Sequence, residues 1–120
     1  NDKQKLSLAA VELAESLGAR GIVVITRRGL MADLVCNCRP VYSDIYAFTN
    51  VSQARRTMTL GRGIRPFRIA FSQDPEKTLQ TAFNVLKERE GFQSEEKVVV
   101  ISDVLAGSGK IDAIQIRHLP

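Results

Sequence analysis

The 120 residues contain no tryptophan, a single histidine and two cysteines. The histidine, His118, stands two residues from the end with no nucleophile and orienting acid near it in sequence, so a His-dependent catalytic triad is not expected. Cys36 and Cys38 lie two positions apart, where helical side chains point in different directions, so they do not form a close bridge. Without a further Cys or a nearby His they make a weak metal signal. They read best as reduced thiols of a cytoplasmic protein. No apolar run approaches the ~20 residues needed to cross a bilayer, so no membrane association is expected. The first ten residues, NDKQKLSLAA, lack the basic-then-apolar layout of a secretory signal. The chain starts at Asn rather than Met, which suggests a piece of something longer. There is no Walker pattern and no G-x-G-x-x-G. Asp33, Asp44, Asp74 and Asp103 are too scattered for metal-ligand spacing, so no metal site is expected.

What is present is the composition of one globular domain: 44% apolar, 25% charged and a formal net charge of +4. The positive charge gathers at Arg27–Arg28, Arg55–Arg56 and Arg62, Arg65 and Arg68. A phosphate-bearing ligand suits such a surface, as does plain solvation. Nucleic acid is not expected, because no RNA-binding aromatic signature, zinc-finger spacing or basic helix occurs.

Leu6, Ala9, Ala10, Leu13, Ala14 and Leu17 follow helical spacing, with Asn1 or Asp2 as cap and Gly18 as terminator. GIVVIT at 21–26 is apolar throughout and β-branched, as a strand covered on both faces would be. Leu30, Leu34, Val35 and Cys38 predict a short helix stopped by Arg39 and Pro40. DIYAFT at 44–49 reads as a second strand. Asn50 or Ser52 can cap a third helix, with Val51, Ala54 and Met58 inward and Gly61 and Gly63 at its end. Phe67, Ile69 and Phe71 alternate as an edge strand. Asp74 and Pro75 start a helix whose buried face is Leu79, Ala82, Phe83 and Leu86, and Gly91 ends it. KVVVIS at 97–102 is another buried strand, and 112–118 alternates as a last one. Helix–strand alternation predicts an α/β fold, a mainly parallel sheet with helices on both faces. The last strand, with no helix before it, is antiparallel.

Two loops are candidates for ligand binding. Thr26, Arg27, Arg28 and Gly29 lead from the first buried strand into a helix, where open α/β sheets present helix N–H groups to anions. An ordinary turn shaped by Gly29 is the plain alternative. Gly107, Ser108, Gly109 and Lys110 can present N–H groups and a cation to phosphate, or can simply connect two strands. The first and fourth strands are expected to be neighbours, because the chain order reverses between them, which brings the two loops together.

In order and spacing these pieces resemble the C-terminal domain of pyruvate kinase over nearly the whole chain. The matching pieces are AVELA at 10–14, GIVVIT followed by Gly29, the Arg39–Pro40 stop, Phe48–Thr49–Asn50 and Gln53–Ala54–Arg55. They continue with GRGIRP at 61–66, Gly91–Phe92, the VVV strand and the Gly107–Ser108–Gly109 loop. The resemblance implies a five-stranded sheet and a single domain, 1–120, from which the catalytic barrel is absent. It implies a regulatory and subunit-assembly role, without catalysis of its own. The parent would be a tetramer that transfers phosphate from phosphoenolpyruvate to ADP with Mg²⁺ and K⁺. It also implies pairing with a second subunit near the last strand, where Gln115 and Arg117 are the interface candidates, and an anionic sugar-phosphate effector at the two loops. No catalytic residue and no cofactor is expected within the domain itself. Where regulated members carry hydroxyls in the first loop, Thr26 and Gly29 match, but Arg28 and Met31 stand at hydroxyl positions. Thr78 brings no charge for a second phosphate. Fructose 1,6-bisphosphate is therefore expected to bind weakly or not at all. A free-standing phosphate- or effector-binding module that lost its barrel is the alternative.

Overall fold

A computed structural model describes residues 1–58, 63–104 and 112–120. The chain order is α1 (Asp2–Leu17), β1 (Gly21–Ile25), α2 (Leu30–Asn37), β2 (Asp44–Thr49), α3 (Ser52–Met58), β3 (Ile64–Arg68), α4 (Pro75–Glu90), β4 (Lys97–Ser102) and β5 (Ala113–His118). One sheet runs β3-β2-β1-β4-β5. The β1–β2, β1–β4 and β2–β3 pairs are parallel, and β5 is antiparallel to β4, with Val99 opposite Ile116. The chain walks from β1 outward to β3 and then returns to the other side of β1, so the order reverses between β1 and β4.

Strand alternation divides the core into two. Ile22 and Val24 of β1, with Ile45 and Ala47 of β2, pack against Ala10, Val11 and Ala14 of α1, Met31, Ala32 and Val35 of α2, and Met58 of α3. Val23, Ile25, Tyr46, Phe48, Val98 and Val100 face Leu79, Ala82, Phe83 and Leu86 of α4. Because β1 and β4 are covered on both faces, they are apolar at nearly every position.

The caps follow the sequence. The Asn1 side chain accepts from the Gln4 N–H, and Gln4 reaches back to complete a capping box. The Asp74 carboxylate accepts from the Glu76 N–H ahead of Pro75.

Three local expectations are corrected. In α1 the buried face is Ser7, Ala10, Val11 and Ala14, while Ala9 is exposed. Ser7 is tolerated inside because its hydroxyl donates to the Lys3 carbonyl at 2.8 Å, and its small side chain lets Met31 approach to 3.4 Å. In α2 the inward residues are Met31, Ala32 and Val35; Leu30 is exposed and Leu34 half-buried, and Val51 ahead of α3 is also exposed. The third strand begins at Ile64, three residues earlier than alternation indicated, because its parallel register pairs Ile45 with Ile64 and Thr49 with Arg68. Pro66 is accommodated there because β3 is an edge strand, where a missing N–H breaks no outer ladder.

Candidate ligand pocket at the switch point

At the carboxyl ends of β1 and β4 a cavity of about 680 Å³ is lined by Asn1, Asp2 and Lys3, by Thr26, Arg27, Arg28 and Leu30, and by Asp103, Val104 and Asp112. Its position follows from the topology. Two neighbouring parallel strands whose connections leave in opposite directions send the loops after their carboxyl ends apart and leave a crevice.

The β1–α2 turn is tightly braced. Thr26 is buried, and its hydroxyl oxygen accepts from the Gly29 N–H at 3.3 Å. The Thr49 hydroxyl donates to the Arg27 carbonyl at 2.7 Å and accepts from the Val51 N–H at 3.1 Å, joining this turn to the end of β2. Gly29 has φ +91°, in the left-handed region, and a side chain there would also press on Met58. The backbone thus turns sharply enough to leave the Arg27 and Arg28 side chains exposed while Met31 is driven into the core. Gly29 offers α2 no side-chain cap, so the first N–H groups of that helix lack one.

Across the cavity the charge is of the other sign. The Lys3 ammonium lies 2.9 Å from Asp112 and 3.3 Å from Asp103, tying the first turn of α1 to the end of β4 and the approach to β5. The hydrogen bond to Asp112, together with the hydrogen bond and charge of Asp103, holds the Lys3 amine above its ordinary value against the opposing pull of desolvation. The second Asp103 oxygen is buried and, among the described residues, has no hydrogen-bond partner.

Of the residues singled out from sequence, Thr26, Arg27, Arg28 and Gly29 are gathered at this turn, and the first three line the cavity. Gly107, Ser108, Gly109 and Lys110 lie outside the described residues. Gln115 and Arg117 are on β5, away from the cavity lining and on its α4 side. Arg117 pairs with Glu76, donates to Gln115 Oε1 at 3.0 Å and places its guanidinium 5.7 Å from the centre of the Phe83 ring. Ile116, on the opposite face, is 48% exposed. Among the described residues the outer edge of β5 pairs with no strand.

Lys3, Asp103 and Asp112 were not singled out as site residues from sequence. Asp103 carried a usable signal, since it follows a wholly buried strand at the same edge of the sheet as Thr26. Lys3 carried none.

A second cavity, about 570 Å³, lies at the opposite end of the sheet between α2 and the start of β2, lined by Cys36, Arg39, Val41 and Asp44 among others. Neither cysteine is in a disulfide. Burial raises the Cys38 thiol above its ordinary value, which disfavours the reactive thiolate. Among the described residues no group of three or more His, Cys, Asp or Glu could hold a metal ion. No helix among them is long and apolar enough to cross a membrane.

A five-stranded α/β domain with a charged pocket at its switch point, next to an edge strand whose outer side pairs with no strand among the described residues, is the class that the fold and the site define. Residues 4–117 match the family described as pyruvate kinase, alpha/beta domain, and the chain belongs to that family. It is 34% identical over 117 residues to the chloroplastic pyruvate kinase isozyme A of Ricinus communis, covering 98% of this chain and 19% of that protein. It is 33% identical to the corresponding Nicotiana tabacum isozyme, covering 98% and 18%. The fold matches Cryptosporidium parvum pyruvate kinase, solved in complex with ADP, with a TM-score of 0.87 at 24% identity, covering 98% of this chain and 24% of that one. The chain thus spans about a fifth of the length of the curated relatives it matches.

Proposed function

We propose that this chain is the regulatory and subunit-assembly domain of a longer pyruvate kinase, non-catalytic by itself. The longer enzyme would transfer phosphate from phosphoenolpyruvate to ADP and would work as a homo-oligomer, tetrameric in this reading. Its Mg²⁺ and K⁺ belong with the catalytic domain and not with these residues. The observation that carries the reading is the adjacency of pocket and edge: Asp112 lines the cavity, and the next residue opens β5, whose outer edge is unpaired among the described residues. A ligand that shifts Asp112 moves the start of the strand through which a second subunit would pair. The ligand is anionic at the end that meets Arg27, Arg28 and the start of α2. The family match supports the parent activity, and the residues lining the cavity offer no nucleophile–base pair for phosphate transfer. Two cysteines that form no disulfide suit a reducing compartment, the cytoplasm in this reading; the Ricinus communis and Nicotiana tabacum relatives are chloroplastic.

The test is a pyruvate-formation assay of the purified 120-residue chain with phosphoenolpyruvate, ADP, Mg²⁺ and K⁺. No turnover above background is expected. Turnover that scales with the chain and disappears on a point substitution within it would overturn the non-catalytic reading.

A further inference from the structure

The β4–β5 ladder follows one antiparallel register, from Lys97 opposite His118 to Ser102 opposite Ala113. The next pair in that register is Asp103 opposite Asp112. Val99 and Ile101 of β4 and Ile114 of β5 pack on the α1 side of the sheet, so alternation carries both aspartates to that side. Like charges directly opposite each other on neighbouring strands repel and would part the strands at this end. Lys3, in the first turn of α1, stands over the pair. Its ammonium lies 3.3 Å from an Asp103 oxygen and 2.9 Å from an Asp112 oxygen. We infer that Lys3 is a counter-charge clasp: it holds the Asp103–Asp112 pair closed, so that the first turn of α1 and the start of β5 open together as one unit.

The cation is presented from a fixed support. Ala10, Val11 and Ala14 anchor α1 in the core, and the buried Ser7 hydroxyl, one turn after Lys3, donates to the Lys3 carbonyl at 2.8 Å. The Asn1 amino group, also at this end, donates to its capping partner Gln4 at 3.1 Å. The start of β5 has less to hold it: Ala113, Ile114 and Gln115 are only half-buried, and the strand pairs with β4 alone among the described residues. Loss of the ammonium removes two charge-assisted hydrogen bonds and leaves two carboxylates facing each other. The effect therefore exceeds that of an ordinary exposed ion pair. The clasp itself stands on the geometry alone. Its consequence for assembly rests on the proposed subunit contact through β5: a neutral residue at position 3 loosens the start of that strand from 109 residues away in sequence.

Amide hydrogen exchange of the 120-residue chain, followed by NMR at neutral pH, tests the clasp. In Lys3→Gln the protected amides of residues 5–7 and of residues 113–115 should both exchange about tenfold faster, the factor for one charge-assisted hydrogen bond net of relaxation. Lys3→Arg keeps the charge and should stay within about twofold of the unsubstituted chain. Lys3→Gln/Asp112→Asn puts a neutral amide opposite Asp103 and should return to within about threefold. Arg20→Ala removes the Arg20–Glu96 pair near the opposite end of the same ladder and should leave both segments within about twofold. Four results would each overturn the inference: unchanged exchange in Lys3→Gln, acceleration confined to one of the two segments, equal acceleration in Arg20→Ala, or faster exchange in Lys3→Gln/Asp112→Asn than in Lys3→Gln. The assembly reading fails separately. It fails if exchange in Lys3→Gln accelerates as expected but the longer enzyme carrying that substitution keeps an unchanged dissociation constant in sedimentation.

Discussion

Replacing Gly29 by alanine probes the turn that shapes the pocket. At φ +91°, ψ −4° an L-residue carries backbone strain of about 1–3 kcal/mol. A Cβ at this position would lie 3.1 Å from Met58 Cγ and 3.5 Å from its Sδ, close enough that the methionine must give way inside the core. Against these costs, alanine restricts the unfolded chain and returns roughly 0.4–1 kcal/mol. The sum is a destabilisation of about 2 kcal/mol. Gly18→Ala is the internal control. Gly18 is also left-handed, at φ +63°, but a Cβ there meets nothing within 4 Å, so its cost should stay near 1 kcal/mol. Urea unfolding followed by far-UV circular dichroism gives both values. If Gly29→Ala costs no more than Gly18→Ala, the strain and the Met58 contact assigned to this turn are refuted.

Arg20 donates to Glu96 and to the Glu90 carbonyl and lies 4.3 Å from the centre of the Phe92 ring, so Arg20→Ala should cost about 1–2 kcal/mol in chemical denaturation. The hydrogen bond from Arg20 holds the Glu96 carboxyl below its ordinary value. The stabilisation from the pair is therefore complete above the unfolded value and is lost as pH falls through the folded one. Arg20→Met should flatten this part of a stability–pH profile, and an unchanged acid limb would contradict the assignment. Phe83 of α4 is fully buried against the sheet and carries the Arg117 guanidinium on its ring. Phe83→Ala should cost about 3–5 kcal/mol, read from the same urea midpoints.

Much of the fold was legible because its signals are local. Asp74, Pro75 and Gly91 bracket α4, and the all-apolar runs of β1 and β4 mark strands buried on both faces. The missing helix before 112–118 marks an antiparallel partner. The misreadings occurred where tertiary contacts override the pattern. Ser7 counts as polar in any periodicity, yet its hydroxyl is satisfied within its own helix and it faces Met31. Leu30 counts as core, yet the sharp turn at Gly29 leaves it on the pocket rim. The start of β3 is set by its register with β2, which alternation around Phe67 and Ile69 does not reveal. Half of the pocket was similarly visible, because the end of a buried strand running into a helix is a local pattern. The aspartate wall was not, since Lys3 and Asp112 are 109 residues apart and meet only through the sheet.

The claim that this domain joins a ligand pocket to a subunit contact is tested most directly at β5. In the longer enzyme, Gln115→Glu, Arg117→Glu and Ile116→Glu each place a carboxylate on the edge strand β5, on one face or the other, and the measurement is sedimentation velocity over a dilution series. Arg117→Glu also opposes Glu76 within the chain, so Gln115→Glu and Ile116→Glu are the cleaner variants. The account predicts that these two dissociate at concentrations where the unsubstituted enzyme remains a tetramer. Unchanged tetramers with unchanged dissociation constants in both would contradict it.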